Sequence, residues 1–131
     1  MNKTLILISA LIFINLSTFS QKAEVIYFKA NLPCCQATAC NNLENQVKGI
    51  VESNFTDDNV VFTTKKIADP DNKDLVEKYN AKSQTLIIVG TNKKKKNNTL
   101  DVSDILRKYL RSEDADELEN TLVAKIKESM K

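Results

Sequence analysis

All three cysteines of the chain, Cys34, Cys35 and Cys40, fall within seven residues of one another. They follow an apolar run at 25–28 that is rich in β-branched and aromatic residues, and they precede an amphipathic segment. This order predicts a strand, a short loop that carries cysteines, and a helix. The amides and the dipole at a helix N-terminus favour thiolates, which attack disulfides and bind soft metal ions. The stretch therefore indicates sulfur chemistry.

Cys40 also fits a second interpretation, as a small side chain of the hydrophobic core. It is spaced at helical intervals from Leu43, Val47 and Ile50, and free cysteines often behave as inert core residues. Packing alone is a poorer explanation for three cysteines that cluster in a chain with no others.

The N-terminus has the pattern of a secretory signal peptide. A positive start at Lys3 precedes an apolar run at 5–16, and the small residues Thr18 and Ser20 follow it. The run is shorter than the roughly 18–20 residues that a transmembrane helix needs, and the pattern predicts cleavage after Ser20. We therefore expect a signal peptide at 1–20, one mature domain at 21–131 and a periplasmic or secreted location.

Composition narrows the classes of function. The chain has 19 basic and 17 acidic residues, a net charge of +2, so no nucleic-acid partner is expected. It has no histidine, which excludes histidine-assisted cysteine hydrolases and histidine-containing zinc sites. Export favours disulfides, and an odd number of cysteines leaves one thiol free, bound to a ligand or paired with another chain.

The hydrophobic pattern predicts alternating strands and helices. Strands are expected at 25–30, 60–67 and 85–89, and helices at about 36–53, 75–79, 102–110 and 118–126, the last two separate or joined by a kink near Ser112. The first helix should begin within 36–38 with Glu44 largely on its solvent side, and Asp71 or Asn72 should cap the second. Two strand–helix crossovers predict two parallel strand pairs. The expected fold is a three-layer α/β/α domain, with a mixed four-stranded sheet flanked by helices.

Four consecutive lysines at 93–96 follow the third predicted strand. We interpret them as part of a hairpin whose second arm is a lysine-rich edge strand, because lysines on an edge strand prevent aggregation between sheets. The alternative is a patch that binds anionic lipid or phosphate, which the lack of interleaved aromatic residues disfavours.

With this order of elements, the chain resembles the thioredoxin-like superfamily across nearly all of the mature region. The spacing of Cys34, Cys35 and Cys40 is similar to that of the arsenic metallochaperone family, whose three thiolates hold trivalent arsenic or antimony for an efflux ATPase. That resemblance implies all three cysteines as ligands. The segments at 25–28, 83–89 and 100–126 look more like the exported ArsF family, a nitrophenyl-compound nitroreductase subunit. Gln84 stands near the position where thioredoxins carry a proline.

Two leading functions follow. In the first, an exported thioredoxin-like protein binds a soft metal or metalloid, such as trivalent arsenic or antimony, through Cys34, Cys35 and Cys40, since soft ions prefer thiolate ligands. In the second, Cys34 or Cys35 attacks a disulfide and Cys40 resolves it, through a Cys34–Cys40 or Cys35–Cys40 bond, in thiol–disulfide exchange or electron transfer. A third class is an interaction domain stapled by one disulfide.

The expectations on partners are broader. The only candidate cofactor is the thiolate-bound ion, and the expected partner is a thiol protein or a protein that handles metals or metalloids. The chain is expected to be a monomer without stable membrane insertion after signal cleavage. The sequence leaves open whether the protein is an enzyme.

Overall fold

A computed structural model describes residues 22–31, 34–57 and 59–131, with the side chains of residues 34–37 outside the description. The predicted signal peptide at 1–20 lies outside the described residues. No helix in the described ranges combines the length and apolarity needed to cross a bilayer.

The described chain follows the expected order of strands and helices. The elements are β1 (Ala23–Lys29), α1 (Cys34–Asn54), β2 (Val60–Lys66), α2 (Lys73–Lys78), β3 (Thr85–Thr91), β4 (Asn97–Asp101), α3 (Ser103–Ser112) and α4 (Ala115–Ser129), with a 3-10 turn at Pro70–Asn72. The strands form one sheet in the order β2-β1-β3-β4. The predicted mixed four-stranded sheet flanked by helices is confirmed.

The sheet has one parallel pair where two were expected. The central strand β1 is parallel to β2, with Ala23 opposite Val60, and antiparallel to β3, with Ala23 opposite Gly90. A second parallel pair would require the chain to return along the whole sheet after β2. The six-residue helix α2 spans only about 9 Å, whereas a seven-residue strand spans about 23 Å. The chain therefore enters β3 at the end where β2 leaves.

The alternation of side chains along β1 divides the hydrophobic core between the two faces of the sheet. Val25 and Tyr27 pack on the face covered by α1, α3 and α4. Ile26 and Phe28 point to the opposite face, where they pack with residues of α2 and with Tyr79 just after it. The ring of Phe28 meets the ring of Tyr79 edge to face, with centroids 6.2 Å apart. The three-layer arrangement follows from these two cores.

One helix boundary was predicted incorrectly. Helix α1 begins at Cys34 rather than within 36–38, so Cys34 and Cys35 lie in a helix and not in a loop before it. Asn72, one of the two predicted candidates, is the N-cap residue of α2, although its side chain makes no capping hydrogen bond. The 3-10 turn before it is capped by Asp69, whose side chain accepts a hydrogen bond from the amide of Asp71. Of the two alternatives for the C-terminal region, α3 and α4 are separate helices, because Glu113 adopts a left-handed conformation with φ 55°.

The lysine run does not form an edge strand. It occupies the turn between β3 and β4, and the edge strand itself is Asn97–Asp101. The Oδ1 atom of Asn92 accepts hydrogen bonds from the amides of Lys94 and Lys96, each at 3.0 Å, and Lys95 is left-handed. An asparagine side chain that accepts backbone amides closes a turn, so Asn92 ends the strand before the lysines begin.

Candidate functional site

The three cysteines lie in the first two turns of α1, which follows the C-terminal end of the central strand. Strand β1 ends at Lys29 and α1 begins at Cys34. The first amides of a helix have no intrahelical acceptor, so they can stabilise nearby negative charge. The backbone thus places Cys34 and Cys35 at the end of a long helix where a thiolate is favoured.

Cys40 is buried, with 1% of its surface exposed, and it is contacted from two other elements. Its Sγ atom accepts a hydrogen bond from Nε2 of Gln84 at 3.4 Å and lies 3.9 Å from Oγ of Ser83. Its carbonyl accepts a hydrogen bond from the hydroxyl of Tyr27 at 3.3 Å. Cys40 therefore belongs to the core, as its helical spacing predicted, and its sulfur also has a polar neighbourhood.

Gln84 has two roles at this position. Its backbone amide donates a hydrogen bond to the carbonyl of Phe28 at 3.0 Å, which fixes the start of β3 beside β1. Its backbone is left-handed, with φ 63°, and its side chain donates to Cys40. The sequence marked Gln84 as a departure from the thioredoxin pattern but did not predict this contact.

Tyr27 supplies a neutral hydroxyl next to the cysteine. It is fully buried. Burial raises the pKa of Tyr27 far above its ordinary value, and the neighbouring Cys40 and Glu44 raise it further. The hydroxyl therefore remains a hydrogen-bond donor throughout the range in which thiols titrate.

Glu44 was expected largely on the solvent side of α1, and this expectation is wrong. Its side chain is only 19% exposed and accepts hydrogen bonds from Nζ of Lys29 at 2.9 Å and from Oγ1 of Thr64 at 2.6 Å. Burial alone would raise the pKa of Glu44, but the bonds from Lys29 and Thr64 and the positive charges of Lys29 and Lys48 outweigh it and hold the pKa below its usual value. Both carboxylate oxygens are thus engaged in joining α1 to β1 and β2.

The helical backbone separates the cysteines along α1. In a regular α-helix, Cα atoms five or six residues apart are roughly 8.5–10 Å from each other, whereas a disulfide spans at most about 6.8 Å between Cα atoms. A disulfide between Cys40 and either of the other two cysteines therefore requires the first turns of α1 to unwind. A shared ion also requires this, because positions five and six residues apart lie on different sides of a helix. The convergence of three sulfurs stays a prediction, since the side chains of Cys34 and Cys35 are outside the description.

Two observations on the described side chains bear on metal binding. Cys40 is present as a free thiol. No group of three or more His, Cys, Asp or Glu side chains suited to a metal ion occurs among them. That set does not include Cys34 and Cys35, so the predicted trio is not tested by it.

Comparison with protein-family models, with curated proteins and with solved structures finds no match.

Proposed function

We propose that this protein binds a soft trivalent metalloid, such as arsenic or antimony, through the thiolates of Cys34, Cys35 and Cys40. The observation that supports this most directly is the start of α1 at Cys34, which puts two adjacent cysteines in the first turn of a 21-residue helix. Free amides and the helix dipole act there to stabilise thiolates, and thiolates are the ligands that soft ions prefer.

The surroundings of Cys40 suit it as the third ligand. When As(OH)3 reacts with three thiols, three As–S bonds form and three waters leave, so the complex is neutral. A neutral complex can sit against a buried sulfur at much lower cost than a charged one. The N–H of Gln84 points at the Cys40 sulfur, 3.4 Å away, and would favour a ligand that carries partial negative charge.

Binding by all three cysteines requires a change in α1. Residues 34–39 would leave the helix so that the first two sulfurs can approach Cys40, which stays anchored by Tyr27 and Gln84. The metal–sulfur bonds must supply the free energy of this local unwinding. The thioredoxin-like relationship and export by a signal peptide at 1–20 remain part of the proposal, and the sheet order is compatible with the former.

The test is a titration of the reduced protein with arsenite. We expect one arsenic to bind per chain. In the complex, none of the three cysteines should react with a thiol reagent. Cys34→Ser, Cys35→Ser and Cys40→Ser should each weaken binding at least tenfold, and the serine variants should keep the unfolding midpoint of the reduced protein within a few degrees. Unchanged affinity in Cys35→Ser would show that the three-sulfur site is wrong.

A second function is favoured by one observation, the burial of Cys40. A resolving cysteine in thiol–disulfide exchange is shielded from solvent while the attacking cysteine is accessible. Cys40→Ser should then trap a mixed disulfide between a partner protein and Cys34 or Cys35. Failure to trap any adduct with a small disulfide probe, under conditions that label both remaining thiols, would eliminate this alternative.

A further inference from the structure

The four lysines at 93–96 form a separate charged feature, which we call the lysine turn. It lies at the end of the sheet opposite the cysteines. The amide of Thr91 donates to the carbonyl of Lys22 at 2.6 Å, so the turn projects past the start of β1. Cys34 follows the other end of β1, and the strand between them has seven residues, which spans about 23 Å.

The positive charge of the lysine turn is not neutralised by neighbours. All four lysines are exposed, and none takes part in an ion pair within the described residues. Two carboxylates lie near this end of the sheet. Glu24 on β1 is opposite Val89 on β3, and Glu128 precedes Ser129, whose carbonyl lies against Gly90 of β3. Glu128 is paired with Lys125, so the four lysines outnumber the carboxylates that could neutralise them.

The turn presents its lysines on an ordered backbone. Asn92 accepts from the amides of Lys94 and Lys96, and its own amide donates to the carbonyl of Lys96 at 3.0 Å. Protection of an edge strand no longer explains the run, because the lysines are not in the strand. Four ammonium groups at one protruding tip are suited to a surface that carries many negative charges.

We propose that the lysine turn docks the protein reversibly on a bilayer surface that contains anionic phospholipids. Lysine is a hydrated point charge without the fork geometry that arginine uses for specific phosphate recognition, so a diffuse array of headgroups fits it better than one bound phosphate. Residues 90–101 contain no aromatic side chain, which removes the base-stacking contribution that single-stranded nucleic acid requires.

Lys22 adds to the positive surface at this end of the sheet. Its side chain is exposed, and its carbonyl accepts a hydrogen bond from the amide of Thr91 at the end of β3 that leads into the lysine turn. A protein docked in this way holds the N-terminus of α1 on the side away from the membrane.

Vesicle partitioning tests the proposal, with the chain from residue 21 onward, which contains every described strand, helix and core residue. Binding is measured to vesicles of phosphatidylglycerol and phosphatidylcholine mixed at one to two and to vesicles of phosphatidylcholine alone. One lysine near an anionic surface contributes about fivefold to the partition coefficient. Replacing all four residues at 93–96 with Gln should thus lower binding to the anionic vesicles by roughly 600-fold.

The matched control removes four other exposed lysines from the opposite end of the sheet, with Lys66, Lys73, Lys78 and Lys82 replaced by Gln. This control has the same net charge as the test variant. It should bind the anionic vesicles within about tenfold of the unmodified chain, and thermal unfolding should show that both variants are folded.

Four results would overturn the proposal. The first is equal loss of binding in the two variants, which would assign the effect to net charge. The second is equal binding of the unmodified chain to the two kinds of vesicle. The third is tighter, equally lysine-dependent binding to a single-stranded oligonucleotide, which would assign the turn to nucleic acid. Inorganic phosphate at millimolar concentration should not displace the protein from the anionic vesicles, and displacement would assign the turn to free phosphate.

Discussion

Replacing Ala39 with glycine should tighten metalloid binding while it destabilises the free protein. Ala39 is exposed, lies inside α1 and directly precedes Cys40. Because its side chain is in solvent, the substitution removes little packing and acts mainly on the backbone. Glycine in a helix interior is less favourable than alanine by about 1 kcal/mol. That penalty applies only while residue 39 is helical.

The size of the effect follows from the proposed unwinding of residues 34–39. If the bound state has already lost this part of the helix, glycine weakens the free state by about 1 kcal/mol and leaves the complex unchanged, which raises the affinity for arsenite about fivefold. The four α-helices in the described part of the chain contain 21, 6, 10 and 15 residues. Unwinding six of these residues should therefore reduce the helical circular dichroism of the complex by about a ninth. If Cys34 and Cys40 form a disulfide instead, the same helix penalty of about 1 kcal/mol should lower the reduction potential of that disulfide in Ala39→Gly by about 20 mV.

Ala124→Gly is the matched control, because Ala124 is an exposed alanine inside α4, away from the cysteines. It should lower the free energy of unfolding by a similar amount and leave the arsenite affinity unchanged. Affinity is measured by calorimetry and stability by urea unfolding without arsenite. Equal affinities in Ala39→Gly and the unmodified protein, together with loss of three thiols and no loss of helical signal, would refute the reasoning that α1 must unwind.

Two further predictions concern the residues around Cys40. Glu44→Gln should lower the free energy of unfolding at pH 7 by about 2 kcal/mol, because one of the donors from Lys29 and Thr64 loses its acceptor, whereas the exposed pair of Glu52 makes Glu52→Gln nearly neutral. The folded pKa of Glu44 lies below its ordinary value of 4.5, so the stabilisation is present above that pH and is lost as pH falls through the folded pKa. The prediction is contradicted if the difference in free energy of unfolding between Glu44→Gln and the unmodified protein, measured by urea unfolding, stays constant down to pH 2. Gln84→Leu should weaken arsenite binding about threefold to tenfold by removing the donor to the bound sulfur, and calorimetry should show no such effect of Gln84→Leu in a Cys40→Ser background if the contact is the cause.

The architecture could be predicted because it is recorded in local patterns. The apolar run of β1 and the helical spacing of Leu43, Val47 and Ile50 identify the elements and their buried faces. The single parallel pair could not be predicted in this way. It depends on the length of α2, because a six-residue helix is too short to carry the chain back along the sheet to a second parallel strand.

The details of the site depended on contacts between distant residues. Glu44 was placed largely on the solvent side, since nothing local indicates that Lys29 and Thr64 converge on it from two strands. The spacing of four residues between Cys40 and Glu44, which puts them on one side of the helix, was the available signal. Gln84 reaches Cys40 only because β3 pairs with β1, a pairing between segments more than fifty residues apart. The lysine run is not a strand because Asn92 closes a turn there, and the run of lysines carries no local signal of that turn.

The early start of α1 links the two proposed thiol functions to the compartment in which the protein is expected to work. Export would expose Cys34, Cys35 and Cys40 to oxidation, which would consume the thiolates that metalloid binding needs. A helix that begins at Cys34 keeps the backbone of the first two cysteines beyond the reach of a disulfide to Cys40, which has a limit of about 6.8 Å between Cα atoms. The same first turn that favours thiolates therefore also disfavours a disulfide to Cys40 when an external oxidant is present. A trivalent ion, which forms three strong bonds at once, can supply the free energy of unwinding, whereas a single disulfide has to do so with one bond. On this reasoning the helix selects for metalloid binding over internal oxidation, and weakening it at Ala39 should make both reactions easier together.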